Sequence, residues 1–446
     1  MKPAGLTQPW KAVAVAVVLT AMSLVVLDAG MANIALPVLA KAFAAGPAET
    51  VLIITAYQTA LVMALLPCAA LGERYGNRTV LQAGLALFVA GSLLCAAAPS
   101  LPWLVAARFI QGLGGAAVMA LGVAMLRAAV PTEQLGAAVG WNALTVALSS
   151  AAAPTLGALI VSALGWPWLF LVNLPIGALA LTASRALPAV AGRGTALDLT
   201  SIALNGAAFG CLVLGAEALP KSLVSAAVLA TTSALAFSLL LWRERSKVLP
   251  VVPFDLLGSR SFRLSVIASV CCFTGQAAAM VALPFYLQHE LGLSPLAAGL
   301  SLSPWPLAVA ATSIIAGRLS DRLPTAWLCA VGGAVLAVGL ALSAMWPARN
   351  DAHVLMVLAA VCGVGFGLFQ VPNNRNMFMA APTERSGAAG GLQGTARLTG
   401  QTAGAVLMTI LFVSAPMAAA PRLGLAIGGA IALLAGIVSL RRATVR

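Results

Sequence analysis

The sequence predicts an all-α polytopic membrane protein. Of its 446 residues, 61% are hydrophobic and only 8% are charged, a composition that excludes a water-soluble globular domain of ordinary make-up. Its apolar residues form fourteen runs, each of roughly 20 or more residues and so long enough to cross a bilayer as a helix. Backbone polar groups inside a bilayer must be hydrogen-bonded within the segment, so these runs predict helices rather than an α/β core.

The predicted spans follow one another with short connections, and the basic residues orient them. In chain order the spans cover residues 12–36, 50–70, 79–98, 102–126, 135–163, 168–187, 199–219, 222–242, 264–288, 296–317, 326–346, 353–374, 388–414 and 421–440. Of the 25 Lys and Arg residues, 19 lie at the termini or in every second connection, four lie in the other connections, and Arg108 and Arg397 lie within spans. Connections rich in Lys and Arg remain in the cytoplasm. The protein is therefore predicted to lie in the cytoplasmic membrane with both termini on the cytoplasmic side. This dispersal also favours topology over nucleic-acid binding as the reason for the net charge of +13.

An internal repeat predicts the domain organisation. The segments at 131–140 and 382–391 read PTEQLGAAVG and PTERSGAAGG, identical at seven of ten positions. LGERYGNR at 71–78 and LSDRLP at 319–324 repeat at nearly the same offset. The chain is therefore predicted to contain two six-helix halves, 1–190 and 260–446, with residues 191–259 forming two inserted helices and a cytoplasmic linker. Parallel six-span repeats with a substrate site at their interface are a transporter architecture.

Four segments also match the motifs of a known family in order. They read LDAGMANIALP at 27–37, LGERYGNR at 71–78, RFIQGLGGAA at 108–117 and WPWLFLVNLPIG at 166–177. With these segments the chain resembles the fourteen-span drug:proton antiporters of the major facilitator superfamily over nearly its whole length. The resemblance implies the major facilitator fold and multidrug efflux.

The match to the antiporter motif of span 5 is incomplete. The family has a glycine-rich stretch around a Gly-Pro pair, and this chain has AAAPTLGA at 151–158. Pro154 and Gly157 are retained, whereas two glycines are replaced by alanines. Small residues still allow neighbouring helices to approach closely, so we expect this segment to act in helix packing.

Asp28 and Arg108 are the candidate proton-coupling residues. Asp28 is the one acid near the middle of a predicted span, and an intramembrane acid is a functional candidate because it is costly to insert. At 1.5 Å per residue, Asp28 lies about 12 Å and Arg108 about 9 Å from the outer ends of their spans. The two are predicted to pair, with Asp28 taking up a proton outside and releasing it inside. The alternatives are a static structural pair and an Arg108 that only fixes packing by binding carbonyls of span 1.

Charged residues of the short cytoplasmic loops are candidate gating residues, namely Glu73, Arg74, Arg78, Asp321 and Arg322. The resemblance implies a cytoplasmic latch between the halves, in which Glu73 faces the N-terminus of span 13, favourably through the helix dipole. The alternative is that these charges only set topology. Arg397, about three turns into span 13, serves either substrate binding or coupling, or else extends its side chain to the cytoplasmic end.

Polar residues within or at the edges of spans are candidates for a substrate cavity. They are Asn33, Tyr57, Gln58, Asn142, Gln276, Gln370, Asn373 and Asn374. The alternative for each is a hydrogen bond that holds two helices together.

The sequence favours transport over catalysis. It contains no phosphate-binding loop with GK[ST] and only two histidines, so we expect no enzyme activity, no metal site and no cofactor, with a proton gradient as the energy source. The predicted function is proton-coupled export of amphipathic or cationic drugs and toxic compounds by alternating access, by a monomer in the lipid bilayer. The alternatives are a dedicated exporter of a single metabolite or antibiotic, and a non-transporting membrane sensor or assembly subunit.

Overall fold

Apolar composition produces long helices, and prolines and glycines determine where they break. The computed structural model describes residues 10–189, 192, 194, 198–220, 222–245, 254–346, 352–382 and 386–442. The α-helices are α1 (Trp10–Ala42), α2 (Pro47–Tyr75), α3 (Asn77–Ala96), α4 (Leu101–Ala129), α5 (Thr132–Leu164), α6 (Trp168–Leu171), α7 (Asn173–Ala183), α8 (Leu199–Ala218), α9 (Leu223–Glu244), α10 (Arg260–Phe285), α11 (Pro295–Leu302), α12 (Pro304–Leu319), α13 (Thr325–Met345), α14 (Ala352–Met379), α15 (Ser386–Ser414) and α16 (Ala420–Leu440). Within these ranges, fourteen helical segments are long and apolar enough to cross a bilayer, which confirms the predicted all-α fold.

Two predicted spans are each divided into two α-helices. Span 6 divides into α6 and α7 at Val172, and span 10 divides into α11 and α12 at Ser303. Pro175 has no N–H to donate to the carbonyl four residues earlier, and Pro304 restricts the backbone of Ser303 before it. The break in span 6 places Asn173 at the first position of α7.

The helices pack in two groups that meet along the middle of the bundle. In the first group α1 packs on α5 and α7, while α4 packs on α2 and α3; in the second α10 packs on α15 and α16, and α14 on α12 and α13. The groups contact each other where α2 meets α15 and where α5 meets α11 and α12. Helix α1 of the first group also touches α10 of the second.

Very close helix approach within the first group depends on glycine. Gly114 of α4 faces α3, where a methyl group on it would lie 2.5 Å from the Gly84 carbonyl oxygen and would collide with the Phe88 amide nitrogen. Only a residue without Cβ allows this separation. The same approach places Gln111, about one turn earlier on α4, against Gly91 and Ser92 of α3.

The two groups share an apolar core at the end of the bundle where α1 ends, the predicted outer end. Ile34 and Leu36 of α1 belong to the same buried cluster as Leu283 and Leu287 of the second group. Gln288 donates a hydrogen bond of 3.1 Å to the Ile34 carbonyl oxygen across this contact. The structure is therefore closed at this end.

The inserted helices α8 and α9 pack as a pair beside the line where the two groups meet. The partners of α8 outside this pair include α2 and α15. Asn205 of α8 is fully buried and donates to the Met63 carbonyl oxygen of α2 at 2.8 Å. The pair is joined at the predicted cytoplasmic end by Arg243, which binds both carboxylate oxygens of Asp198 at 3.0 and 3.1 Å.

Candidate functional site

The carboxylate of Asp28 lies at the centre of a buried polar cluster within the first helix group. Asp28 is only 2% exposed. Arg108 of α4 donates to its Oδ2 at 2.5 Å, while Asn173 of α7 and Gln111 of α4 donate to its Oδ1 at 2.7 and 3.0 Å. The structure thus brings together the predicted pair, and adds two amide groups to it.

Arg108 is fully buried, and its guanidinium has three kinds of contact. Besides the carboxylate, it donates to Gln111 Oε1 at 2.6 Å and to the Ile53 carbonyl oxygen at 3.4 Å. The ring of Tyr57 lies 4.1 Å and that of Phe170 5.6 Å from its central carbon. These rings shield the ion pair from water while favouring the cation electrostatically.

Ser92 of α3 links the two amides of the cluster. Gln111 donates to its hydroxyl oxygen at 2.8 Å and Asn173 at 3.3 Å, while the hydroxyl donates to the Phe88 carbonyl oxygen at 2.9 Å. Sequence reasoning assigned no role to these three polar residues. The available signal was that Gln111 and Asn173 lie inside two of the matched motifs, where an amide in an apolar span needs a partner.

The cluster satisfies a buried carboxylate with one cation and two neutral donors. These donors lie on α4 and α7, so the hydrogen bonds of Asp28 depend on the relative positions of α1, α4 and α7.

Removing only the cation of the pair should destabilise the protein strongly. Arg108→Gln leaves a buried carboxylate with no countercharge, which we expect to cost about 3 to 5 kcal/mol. The thermal unfolding midpoint of the purified protein in detergent measures this loss. The double variant Asp28→Asn with Arg108→Gln should recover most of it, because no buried charge remains. Equal midpoints for the single and double variants would contradict a charge-paired cluster.

Two of the predicted gating residues, Arg78 and Asp321, bind within their own groups. Arg78 donates to the Leu187 carbonyl oxygen at 3.2 Å, which ties the start of α3 to the end of span 6. Asp321 accepts from Arg375 of α14 at 2.6 Å. Sequence reasoning counted Arg375 only as a topological charge.

The remaining gating candidates border the contact between the groups. Glu73 is exposed and Arg74 partly buried in the last turn of α2, and Arg322 is exposed after α12. The expected partner of Glu73, the start of span 13, involves residues 383–388, whose side chains lie outside the described residues. The helices themselves meet one turn later, where Leu66 faces Gly391, so the latch stays a prediction.

The predicted cavity residues do not form one set. Tyr57 belongs to the Asp28 cluster, and its hydroxyl donates to the Val25 carbonyl oxygen at 3.5 Å. Asn373 is 1% exposed and lies in a second cluster, where it donates to the Ser265 carbonyl oxygen at 3.1 Å and accepts from Arg442 at 2.8 Å. Its position is therefore that of a residue joining α10, α14 and the end of α16.

The other cavity candidates are partly buried. Asn33 donates to the carbonyl of Ala29 within α1 at 3.3 Å. Four of these side chains have a buried oxygen without a hydrogen-bond partner, namely Asn33, Gln58, Asn142 and Asn374. Gln276 and Gln370 are partly buried in α10 and α14. Oxygens of this kind are available to a ligand or to water.

Pro154 and Gly157 lie where α5 contacts helices of both groups. A methyl group on Gly157 would lie 2.9 Å from Met31 Cα of α1. On the other side, the Pro154 carbonyl oxygen faces Gly299 of α11. The predicted packing segment thus touches the partner half as well as its own.

Arg397 lies in the interior of α15 rather than near its end. Its Nε atom is buried and has no hydrogen-bond partner. The residue is the twelfth of the helix, about 17 Å from its first residue at 1.5 Å per residue. Its side chain therefore starts about three turns from the first residue of the helix, and its role stays a prediction.

Comparisons with known proteins agree with this architecture. The sequence model described as "Major Facilitator Superfamily" matches residues 18–405 and 265–445. The chain is 41% identical to the uncharacterized transporter YebQ of Escherichia coli, covering 91% of this chain and 90% of that protein. It is 32% identical to the multidrug resistance protein Stp of Mycobacterium tuberculosis, covering 87% and 73%. Its fold resembles the crystal structure of a POT family transporter with a TM-score of 0.71 at 14% identity, covering 96% of each chain. The chain therefore belongs to the major facilitator superfamily and is a multi-pass membrane transporter.

Proposed function

We propose that this transporter exports amphipathic toxic compounds across the cytoplasmic membrane, driven by inward movement of protons. The two helix groups would rock against each other around the contacts of α2 with α15 and of α5 with α11 and α12. A structure closed at one end supports such alternating access. Both termini are cytoplasmic in this proposal, and a monomer acts with the proton gradient alone and no cofactor.

The carrying observation is the Asp28 cluster. Asp28 is a single acid at mid-span depth, buried and bound by three donors from α4 and α7. A carboxylate held in this way binds a proton when its donors move away, which links protonation to helix position. Asp28 and Arg108 are the coupling residues, while Glu73, Arg74, Arg78, Asp321 and Arg322 form the cytoplasmic gate.

The export direction and the substrate class have separate support. The relative Stp is named a multidrug resistance protein, which favours drug export over uptake. The preference for cations was expected from an acid in a largely apolar cavity. In this structure both oxygens of that acid accept hydrogen bonds from Arg108, Gln111 and Asn173, so we propose amphipathic character as the common property of the substrates.

A resistance screen tests the proposal. A drug-sensitive bacterial strain expressing the protein is expected to tolerate several unrelated compounds, among them dyes, quaternary ammonium detergents and anionic antibiotics. Efflux of a fluorescent dye should stop when a protonophore collapses the proton gradient. Resistance to one compound only would instead favour a dedicated exporter, and efflux that persists without the gradient would contradict proton coupling.

A further inference from the structure

Arg397 is a cation in the interior of the bundle for which the described residues provide no acidic partner. Its Nε is buried without a hydrogen bond. Asp28, the one acid at mid-span depth in the sequence, is bound to Arg108. The other membrane-embedded arginine is thus neutralised and Arg397 is not. An uncompensated cation in a bilayer is costly and is retained where it serves a function.

The contacts of α15 determine where Arg397 points. Gly400 faces α10, where a methyl group on it would lie 2.6 Å from the Val270 carbonyl oxygen. Gly394 faces α2, where a methyl group would lie 3.2 Å from Leu65 Cδ2. At 3.6 residues per turn, Arg397 projects about 60° from each of these directions and between them. On the opposite side of α15, its residues line an apolar cavity with α8 and with Thr59 and Val62 of α2. Arg397 therefore projects between α2 of the first group and α10 of the second.

Gln58 faces the same space from the other half. It precedes Leu65 by two helical turns and so lies on nearly the same side of α2. Counted from the contact of Leu65 with Gly394, Gln58 lies about 10 Å and Arg397 about 4.5 Å toward the outer end, a difference that two long side chains can bridge. The Gln58 Oε1 atom is buried and has no partner.

The surroundings of this pair are apolar. Leu65 of α2, which contacts Gly394 about one turn before Arg397, and Leu398, the residue after Arg397, belong to one buried apolar cluster. A ligand that fits here therefore needs an apolar body and one negatively charged group. Arg binds carboxylate and sulfonate oxygens through a planar set of N–H donors, while an amide adds a neutral hydrogen bond.

We infer that Arg397, assisted by Gln58, binds the anionic group of an amphipathic substrate in the space between α2, α10 and α15. This inference rests on the proposed transport function and specifies its substrate class. The site combines one residue from each half, so relative movement of α2 and α15 changes both contacts to the ligand. An anion that is bound in one arrangement is released in the other.

Two dyes with the same xanthene ring system and opposite charge test the inference. Fluorescence anisotropy measures the binding of anionic fluorescein and of cationic rhodamine 123 to the full-length protein in detergent. The wild type should bind fluorescein more tightly. Arg397→Gln should weaken fluorescein binding by about tenfold or more, as expected for loss of a hydrogen bond to a charged group, without weakening rhodamine 123 binding.

Matched variants separate charge from folding. Arg397→Lys should retain most of the fluorescein affinity, and Gln58→Leu should weaken it less than Arg397→Gln does. Arg422→Gln is the control, because Arg422 lies at the start of α16 against the ring of Tyr286, away from the Arg397 site. Elution of each variant as a single peak in gel filtration verifies the fold. If Arg397→Gln alone fails this check, the Gln58→Leu result decides.

The outcomes distinguish this site from the proposed function. The anion site would be overturned if the wild type binds no fluorescein, or if Arg397→Gln leaves the fluorescein affinity unchanged. Where Gln58→Leu decides, an unchanged affinity in that variant has the same meaning. Each of these results would leave proton-driven export standing. Selective fluorescein binding that depends on Arg397, in a protein that moves no dye under a pH gradient, would support the site while refuting proton-driven export.

Discussion

Asp28→Asn should abolish transport driven by a pH gradient. The side chain keeps its size, and its single amide oxygen can accept from Arg108, while its NH2 group takes the place of the oxygen that accepts from Asn173 and Gln111. Because the Arg108 cation also loses its countercharge, transport is compared in protein that elutes as a single peak in gel filtration. An amide does not take up a proton at physiological pH. We expect gradient-driven dye accumulation by inverted membrane vesicles to fall to that of vesicles without the protein, because an acid at mid-span depth is retained for a function.

A second measurement distinguishes proton coupling from a structural role. Exchange of labelled for unlabelled dye without a gradient requires binding and rocking but no proton transfer, so Asp28→Asn should retain it. Glu49→Gln is the matched control for removing a carboxylate, because Glu49 is exposed at the start of α2, where it accepts from the Gly46 backbone amide outside the cluster. Gradient-driven transport at the wild-type rate in Asp28→Asn would refute the coupling role.

Gly299→Leu should stop transport by preventing closure of the predicted outer end. A Cβ at this position of α11 would collide with Ala158 Cβ and would lie 2.8 Å from the Pro154 carbonyl oxygen, both on α5. These contacts join the two halves, so the substitution separates them rather than unfolding either one. The backbone of α5 cannot move far enough to accommodate the larger side chain. We therefore expect transport to fall by about tenfold or more, in line with the cost of overpacking a close contact.

The same variant should change the accessibility of the closed end. Ile34 is 2% exposed in the shared core, and an Ile34→Cys reporter should react faster with a membrane-impermeant maleimide when Gly299→Leu is present. Gly317→Leu is the matched control on the other part of span 10, because a Cβ there meets nothing within 4 Å. Equal labelling and transport for both glycine variants would contradict the closed contact between α5 and α11.

The helical fold was predictable because hydropathy depends on local sequence. The fourteen spans agree with the structure, since each needs only an apolar run of sufficient length. The breaks at Val172 and Ser303 were not predicted, although Pro175 and Pro304 are the local signals for them. A proline within an apolar run is compatible with either a kinked or a divided helix, and the neighbouring helices decide between these.

The candidate site was predictable only in its charged members. Asp28 and Arg108 stand out because charges are rare in spans and the two lie at matching depth. Gln111 and Asn173 have polar amides like those of many other span residues, so composition does not distinguish a ligand of Asp28 from a helix-packing residue. Asn373 was expected to line the cavity for the same reason, but in the structure its side chain accepts a hydrogen bond from Arg442.

The sequence by itself determined the fold class, the number of spans, the internal repeat and the presence of one acid at mid-span depth, because these follow from composition and order along the chain. Only the tertiary structure decided what each buried polar group contacts. It placed Arg108 on Asp28, and among the described residues it gave the buried Nε atom of Arg397 no hydrogen-bond partner. Partners of buried charges come from helices distant in sequence, and the rotation of each helix depends on close glycine contacts that no single segment encodes.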